Sequence, residues 1–298
     1  MQRLKVAIIG SGNIGTDLLI KVLRSPYLEC GVFIGRNLSS LGMVKALSLG
    51  VFVSAEGIDY IVKNPDCCEL VFDATSAKSH LEHAPILKQL NKRAIDLTPA
   101  KVGLMSVPSV NLADALAESN VSMVTCGGQA AIPIAYAIGQ TQTDIEYIEV
   151  VSSIASRSAG PATRQNLDEY IKTTEEGIRA FSGASRTKAI LNLNPAEPCI
   201  DMQTTIFAKV KSPDMAKLYE RLLALVKGVQ AYVPDYEIIL GPILENNRIV
   251  VMVRVRGLGD YLPAYAGNLD IINCAAIAMA EEYARAIENK NLVVSFNA

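Results

Sequence analysis

Leu4-Lys5-Val6-Ala7-Ile8-Ile9-Gly10-Ser11-Gly12-Asn13-Ile14-Gly15-Thr16 decides the fold class. Leu4 to Ile9 is a short apolar run of the kind that forms a buried strand. It ends in glycines spaced GxGxxG, and residues 16–24 then carry Leu18, Leu19, Val22 and Leu23 at helical spacing. A glycine turn between a strand and a helix forms the phosphate cradle of a dinucleotide-binding unit. Gly10 permits the tight turn, Gly12 lets a pyrophosphate approach the backbone, and Gly15 lets helix pack on strand. The helix start adds N–H donors and partial positive charge. Gly10, Ser11, Gly12, Asn13, Ile14 and Gly15 are therefore candidate cofactor-binding residues.

Outward from this turn the alternation continues. Strands are expected at 30–35, 70–74, 93–97 and 121–125, with helices at 41–49, 58–62, 80–90 and 112–118. Such alternation predicts a parallel sheet with right-handed crossovers. After Cys126 the rhythm changes. Strands at 145–154, 188–193, 205–210, 236–240 and 248–256 have only two helices among them, at 164–181 and 215–229. That predicts a mostly antiparallel or mixed sheet. Residues 241–247 read as a short loop and 269–287 as a last helix. The expected architecture is α/β. A Rossmann-type dinucleotide-binding domain comes from 1–126 and 265–298, and an α+β catalytic and dimerisation domain from 127–264.

Composition narrows the function. A chain of 298 residues has the length of two domains. Half its residues are apolar and 19% are charged, which excludes a disordered or fibrous protein. The net charge of −2 gives no electrostatic case for nucleic acid or an anionic membrane surface. No apolar run reaches the roughly 18 residues of a membrane span. The N-terminus does not read as a signal peptide, so a cytoplasmic location is expected. Six cysteines include no CxxC pair, and the two histidines, His80 and His83, lack partners at metal-ligand spacing. No metal is expected. Two histidines also leave few candidates for the base of a Ser-His-Asp site.

The second strand ends in Gly35-Arg36-Asn37-Leu38-Ser39-Ser40, where an NAD-preferring site usually carries Asp or Glu. Arg36 can neutralise a 2′-phosphate, with Ser39 and Ser40 as donors, so both NAD and NADP remain open as cofactor. Asp73-Ala74-Thr75-Ser76 follows a later strand, and its small residues leave room for the nicotinamide half, with Thr75 beside it.

Thr125-Cys126-Gly127-Gly128-Gln129-Ala130-Ala131-Ile132-Pro133 is the second informative stretch. It stands between a strand and a helix whose early Pro133 fits only the first turn or two. A thiol at a helix start feels a dipole that favours the thiolate. Gly127 and Gly128 leave space for a carbonyl and free their N–H groups for an oxyanion. Cys126 is the candidate nucleophile; the other cysteines lack such neighbours and read as packing. A dinucleotide turn plus a thiol nucleophile suggests aldehyde oxidation through a thiohemiacetal and a thioester.

At this point the sequence resembles the acylating, coenzyme A-dependent acetaldehyde dehydrogenases that end meta-cleavage pathways of aromatic hydrocarbon catabolism. The matching stretches include the glycine turn, Val71-Phe72-Asp73-Ala74-Thr75-Ser76-Ala77, Asp96-Leu97-Thr98-Pro99-Ala100 and Met123-Val124-Thr125-Cys126-Gly127-Gly128-Gln129-Ala130. They continue with Ser158-Ala159-Gly160-Pro161-Ala162-Thr163-Arg164, Asn194-Pro195-Ala196-Glu197-Pro198, Gln230-Ala231-Tyr232-Val233-Pro234 and Tyr261-Leu262-Pro263-Ala264-Tyr265-Ala266-Gly267-Asn268-Leu269-Asp270-Ile271. The resemblance implies that Cys126 carries the acyl group and that Asn166 helps to hold the oxyanion. It implies a cofactor-contacting loop of Ser158, Ala159, Gly160, Pro161, Ala162, Thr163 and Arg164, with Asn268 at the nicotinamide end. It further implies NAD, a coenzyme A thiol as acyl acceptor, a homodimer, and a 4-hydroxy-2-oxoacid aldolase partner that hands over the aldehyde. Poverty in histidine agrees with a thiol acceptor, because hydrolysis needs an activated water whereas a thiol is partly ionised already.

Four departures stand out. The family's acidic residue near Asn37 is absent. Gln203-Thr204 stands where the family carries Arg-Asp, and Thr204 is no base; Asp201, three residues away, points to the other strand face. Asn192 falls in a strand that is otherwise apolar, where it either meets the aldehyde pocket or faces outward. The stretch from Val233 to Tyr261 is short. These departures permit a different aldehyde, the reductive direction, or work without the aldolase. Two other readings stay open: a phosphorylating or hydrolytic semialdehyde dehydrogenase, with Arg157 and Arg164 as anion ligands, and a non-catalytic dinucleotide-binding subunit.

Overall fold

The parallel alternation expected from the glycine turn is present in the computed structural model, which describes residues 3–160, 163–164 and 166–296 and side chains as far as 288. Pro161 and Ala162 lie outside the described residues. Strands β1 (Leu4–Ile9), β2 (Leu28–Ile34), β3 (Val53–Ser54), β4 (Leu70–Asp73), β5 (Arg93–Asp96), β6 (Leu104–Met105) and β7 (Asn120–Ser122) form one sheet in the order β3-β2-β1-β4-β5-β7-β6. Every pairing from β3 to β7 is parallel. The intervening helices are α1 (Asn13–Arg24), α2 (Leu41–Ser48), α3 (Ile58–Lys63), α4 (Ala77–Gln89) and α5 (Pro108–Ala117). Strand order reverses between β1 and β4, and their ends meet in the pairing of Ile9 with Asp73. That is the switch point where open α/β sheets bind ligands, so the glycine turn and the Asp73 loop sit together there. The strands are near-continuous apolar runs because helices cover the sheet. Ala7, Ile9, Val32, Ile34, Val71 and Ala94 pack with Ile61 and Leu87 into one core.

The second sheet has the order β11-β12-β10-β8-β9, from β8 (Ile145–Ala155), β9 (Arg186–Asn194), β10 (Met202–Val210), β11 (Tyr236–Glu245) and β12 (Arg248–Val255). Three of its pairings are antiparallel. The exception is β8 with β9, which run parallel because a helix, α7 (Leu167–Ser182), supplies the crossover. The sheet is therefore mixed and mostly antiparallel. α6 (Cys126–Thr141) and α8 (Met215–Gln230) belong to the same half, and α9 (Gly267–Phe296) closes the chain. β10 buries Met202, Thr204, Ile206, Ala208 and Val210, every second residue, as a half-buried strand should.

The chain divides into two compact units, one of Met1–Leu104, Leu112–Met123 and Ala276–Ala298, the other of Met105–Asn111 and Val124–Ala275. These boundaries differ from the sequence divisions after 126 and 264. The chain leaves the second unit at Asn111, where α5 is kinked (φ −135°, ψ 36°), and α9 is shared along its length.

Two local expectations need correction. Residues 241–247 are not a trimmed loop: β11 runs to Glu245 and turns directly into β12. Asn246 and Asn247 have φ of 48° and 61°, the left-handed pair of a two-residue hairpin turn, which asparagine tolerates. Pro133 lies inside α6, past its second turn. It costs the helix one hydrogen bond. Residues Cys126 through Ala135 are all buried, so packing rather than propensity holds this helix.

Candidate active site

In the first unit the three glycines have distinct steric roles. Gly10 has φ +115°, and a Cβ there would stand 2.4 Å from the Ala74 carbonyl oxygen. A Cβ on Gly15 would stand 1.7 Å from the Gly10 carbonyl oxygen, so helix and turn touch backbone to backbone. A Cβ on Gly12 would meet nothing within 4 Å, so the open side of the turn is at Gly12. Gly12, the residue before α1, brings no side chain to this helix start. Open backbone at Gly12 with a helix N-terminus behind it fits a dinucleotide pyrophosphate. Ser11 and Ser40 hydroxyls are 3.2 Å apart, and Asn37 accepts from the Ser39 N–H and hydroxyl. Arg36 is exposed beside them.

Thr75 donates its N–H and hydroxyl to Asp73, which anchors the loop after β4. Asp73 is fully buried and also binds both histidines: His80 Nδ1 at 2.9 Å and His83 Nδ1 at 2.7 Å. His80 Nε2 lies 3.6 Å from Asp96, and the Asn120 amide nitrogen is 3.1 Å away. The sequence reading missed this cluster, although two histidines three apart on one helix, following a strand-end Asp, were a legible signal. Against its own desolvation, Asp73 is held well below the usual carboxylate range by His80, His83 and Thr75. Burial pushes Asp96 up to about 7. His80 is raised: burial alone would lower it, but the hydrogen bond to Asp73 and the charge of Asp96 prevail.

The pH consequence has a definite sign. A raised His80 contributes stability that is complete below about pH 6.5 and lost as pH rises through its raised value. Asp96 acts the same way, its share disappearing as pH rises from the usual carboxylate range toward 7. The Asp73 share is lost only in strong acid. His80→Asn is therefore expected to destabilise the protein by about 1.5–3 kcal/mol at pH 6. The gap to the parent should shrink by pH 9. Denaturant melts at the two pH values test this, and a gap that widens at high pH would refute it.

In the second unit Cys126 is the first residue of α6 and is 9% exposed. Val124, two residues before it, has φ +60°, a costly conformation for a β-branched residue, of order 1–3 kcal/mol. This bend turns the chain from strand into helix and presents the thiol. Thr125 caps α6 by accepting from the Gly128 N–H at 2.9 Å, and its hydroxyl meets that of Thr174 at 2.7 Å. The Gly127 N–H donates to the Tyr170 hydroxyl at 2.9 Å. Both glycine N–H groups are thus occupied, which corrects the expectation that they stand free for an oxyanion. The Cys126 sulfur is 3.4 Å from the Tyr170 hydroxyl. The helix start does not by itself lower the thiol. Burial pushes the Cys126 thiol up, while Tyr170 and the Gly127 N–H pull it back.

Tyr170 carries no sequence signal; it reaches the site because α7 packs on α6. Gly177, two turns on, allows the approach: a Cβ there would be 3.0 Å from Val124 and 3.1 Å from Ile132. Thr204 is fully buried, with its hydroxyl 3.0 Å from that of Ser152. Ser152 in turn is 3.2 Å from where a Gly127 Cβ would be, so the position of the family's Asp is beside the nucleophile and holds a hydroxyl. Asp201 precedes β10. Asn192 faces outward, exposed, with its amide 3.5 Å from the Ser153 hydroxyl. Of the remaining cysteines, burial pushes Cys30 up to about 12 and Cys68 further, as inert packing thiols behave.

The loop after β8 is self-bonded. Ser158 is buried and donates to the Ala155 carbonyl, and Ala159 N–H donates to Ser156. Arg164 donates to the Ala159 and Ser156 carbonyls and the Ser156 hydroxyl, and Arg157 pairs with Glu197 at 2.7 Å. A Cβ on Gly160 would meet nothing within 4 Å. Thr163 is half-buried, and Asn166 begins α7 without a side-chain cap bond. Asn268 is 1% exposed, yet neither its amide oxygen nor its nitrogen has a partner among the described residues. A buried amide with no partner costs about 1–3 kcal/mol and calls for a polar ligand such as a carboxamide.

Comparisons with known proteins place the chain in a family. The family profile described as prokaryotic acetaldehyde dehydrogenase, dimerisation, matches residues 126–263. The chain is 66% identical to an acetaldehyde dehydrogenase of Spirochaeta aurantia, with 95% of each chain covered. It is 57% identical to one of Pectobacterium atrosepticum, covering 94% of this chain and 95% of the other. In fold it is similar to aspartate semialdehyde dehydrogenase from Candida albicans with NADP, with TM-score 0.63, 10% identity, and 95% and 100% of the two chains covered. The corresponding enzyme II of Vibrio cholerae gives TM-score 0.62 at 13% identity over 95% and 98%.

Proposed function

The chain belongs to the acetaldehyde dehydrogenase family, and from that premise we propose that it is a coenzyme A-acylating aldehyde dehydrogenase acting on a short-chain aldehyde such as acetaldehyde. The observation that carries the reading is Cys126, a thiol at the first turn of α6 beside two glycines, whose side-chain hydrogen-bond partner among the described residues is Tyr170 and not a histidine. Both histidines are committed to Asp73 in the other unit. The Cys126 thiolate adds to the aldehyde carbon, forming a C–S bond while the carbonyl oxygen takes a proton. Asn166 is proposed to steady that oxygen. A nicotinamide dinucleotide, when bound, accepts the hydride this carbon gives up, and the hydroxyl proton leaves to solvent as the thioester carbonyl re-forms. The thioester left on Cys126 is attacked by the coenzyme A thiolate; the new C–S bond forms and the Cys126 sulfur leaves as thiolate.

Gly10, Ser11, Gly12, Asn13, Ile14 and Gly15 would hold the dinucleotide phosphates, Arg36 and Thr75 its adenosine and nicotinamide sides. Ser158, Ala159, Gly160, Pro161, Ala162, Thr163 and Arg164 would form a second contact loop, with Asn268 meeting the carboxamide. An exposed Arg36, with no carboxylate in the residues that end the second strand, admits NADP as well as NAD. The matched dimerisation segment supports a homodimer. The phosphorylating alternative is weakened because Arg157 is paired with Glu197 and Arg164 is engaged by its own loop. Absorbance at 340 nm with acetaldehyde, NAD or NADP, and coenzyme A present or omitted tests the proposal. Reduction only with coenzyme A is expected. Reduction without it, or stimulation by phosphate instead, would overturn it.

A further inference from the structure

Thiol enzymes usually pair the nucleophile with histidine or lower its pKa with nearby positive charge. Cys126 has neither: among the described residues its one side-chain hydrogen-bond partner is Tyr170, 3.4 Å away. The phenol oxygen accepts from the Gly127 N–H at 2.9 Å and stands 3.4 Å from the Cys126 sulfur, with Thr125 also acting on it. As a thiol the sulfur donates to that oxygen; once ionised it can only accept, and the phenol is then its donor. The Gly127 N–H, donating into the phenol oxygen, strengthens the phenol as a donor. Thr174 donates to the Tyr170 carbonyl at 2.7 Å, fixing the turn of α7 that carries the ring.

Resting on the acyl-enzyme reading, we propose that Tyr170 is a catalytic residue that stabilises the Cys126 thiolate when it forms, by donating a hydrogen bond to the ionised sulfur, in place of a histidine. The device serves both halves of the reaction. It stabilises the sulfur after the thiol proton has left to solvent and until the sulfur lone pair forms the C–S bond. It takes the sulfur back as a hydrogen-bonded thiolate when the coenzyme A thiolate displaces it. Tyr170 stays protonated throughout, since burial and the neighbouring sulfur both hold its phenol well above the ordinary range. Among the described residues no charged side chain acts on the sulfur; besides burial, the groups that do are the phenol and the backbone at Gly127 and Cys126.

The test is the pH dependence of iodoacetamide labelling, which needs no substrate and so stands or falls apart from the dehydrogenase reading. Tyr170→Phe should label roughly tenfold or more slowly at pH 7, with the midpoint of its pH–rate curve about one pH unit higher. Tyr236→Phe is the control. Tyr236 donates to the Ala130 carbonyl at 2.7 Å on the same helix, so its loss should lower the melting temperature without moving the midpoint. If Tyr170→Phe does not fold, 3-fluorotyrosine placed at 170 keeps the shape and strengthens the donor, and the midpoint should fall. An unchanged midpoint in either Tyr170 variant overturns the proposal. A shifted midpoint in a protein that reduces no dinucleotide would keep Tyr170 as thiolate donor and remove the functional reading instead.

Discussion

Cys126→Ser is expected to lose about a thousandfold or more of its coenzyme A-dependent dinucleotide reduction while folding and binding dinucleotide as the parent does. The substitution is nearly isosteric, so α6 and its Thr125 cap are preserved. The loss is chemical. A thiol ionises far more readily than a serine hydroxyl, and Tyr170 stands ready to stabilise the thiolate against its burial. A serine hydroxyl forms effectively no alkoxide, and no histidine is placed to take its proton. Two readouts separate the step. Mass spectrometry of the parent incubated with acyl-coenzyme A should show an acyl adduct on the peptide containing Cys126, and the variant should show none. Absorbance at 340 nm should show the same loss. If the variant kept more than about a tenth of the activity, a deficit of only ~1.4 kcal/mol in transition-state terms, Cys126 would not be the nucleophile.

The parts of this site that sequence made legible are those governed by backbone. Gly10 and Gly15 announce a turn because a Cβ at either would run into backbone, and Gly12 is placed between them by the spacing. Cys126 is legible because two glycines and a helix start surround it. The elements that depend on partners distant in sequence were not. Tyr170 is 44 residues from the sulfur it contacts, on a helix whose inward face looks like ordinary packing. The Gly127 N–H reads as free in a linear view, and the Tyr170 side chain occupies it; the Gly128 N–H is taken locally by the Thr125 cap, which a Thr before a helix start could have signalled. Pro133 shows the same limit: local propensity places it near a helix start, and burial on all sides carries the helix past it. The parallel pairing of β8 with β9 was implicit in the helix at 164–181, which is long enough to serve as a crossover. Asp73 with His80 and His83 was closest to being read, since strand end and helix face are both local.

The glycine turn yields the last expectation, a pair of substitutions with opposite signatures. Gly12→Ala should leave the melting temperature unchanged, because its backbone is extended (φ −80°, ψ −169°) and an added Cβ meets nothing within 4 Å. It should nevertheless weaken dinucleotide binding about a hundredfold or more. A methyl there holds the pyrophosphate off the backbone and costs two or more charge-assisted hydrogen bonds of about 1.5–3 kcal/mol each. Gly15→Ala should fail differently. Its Cβ would stand 1.7 Å from the Gly10 carbonyl oxygen, a backbone atom that cannot rotate away. Either α1 moves off β1 or the turn opens, so stability falls together with binding. Calorimetric titration and thermal melts on both variants separate the two cases. Unimpaired binding by Gly12→Ala would mean that the open face of the turn is not where the phosphates lie. The dinucleotide would then have to be sought at another edge of the parallel sheet.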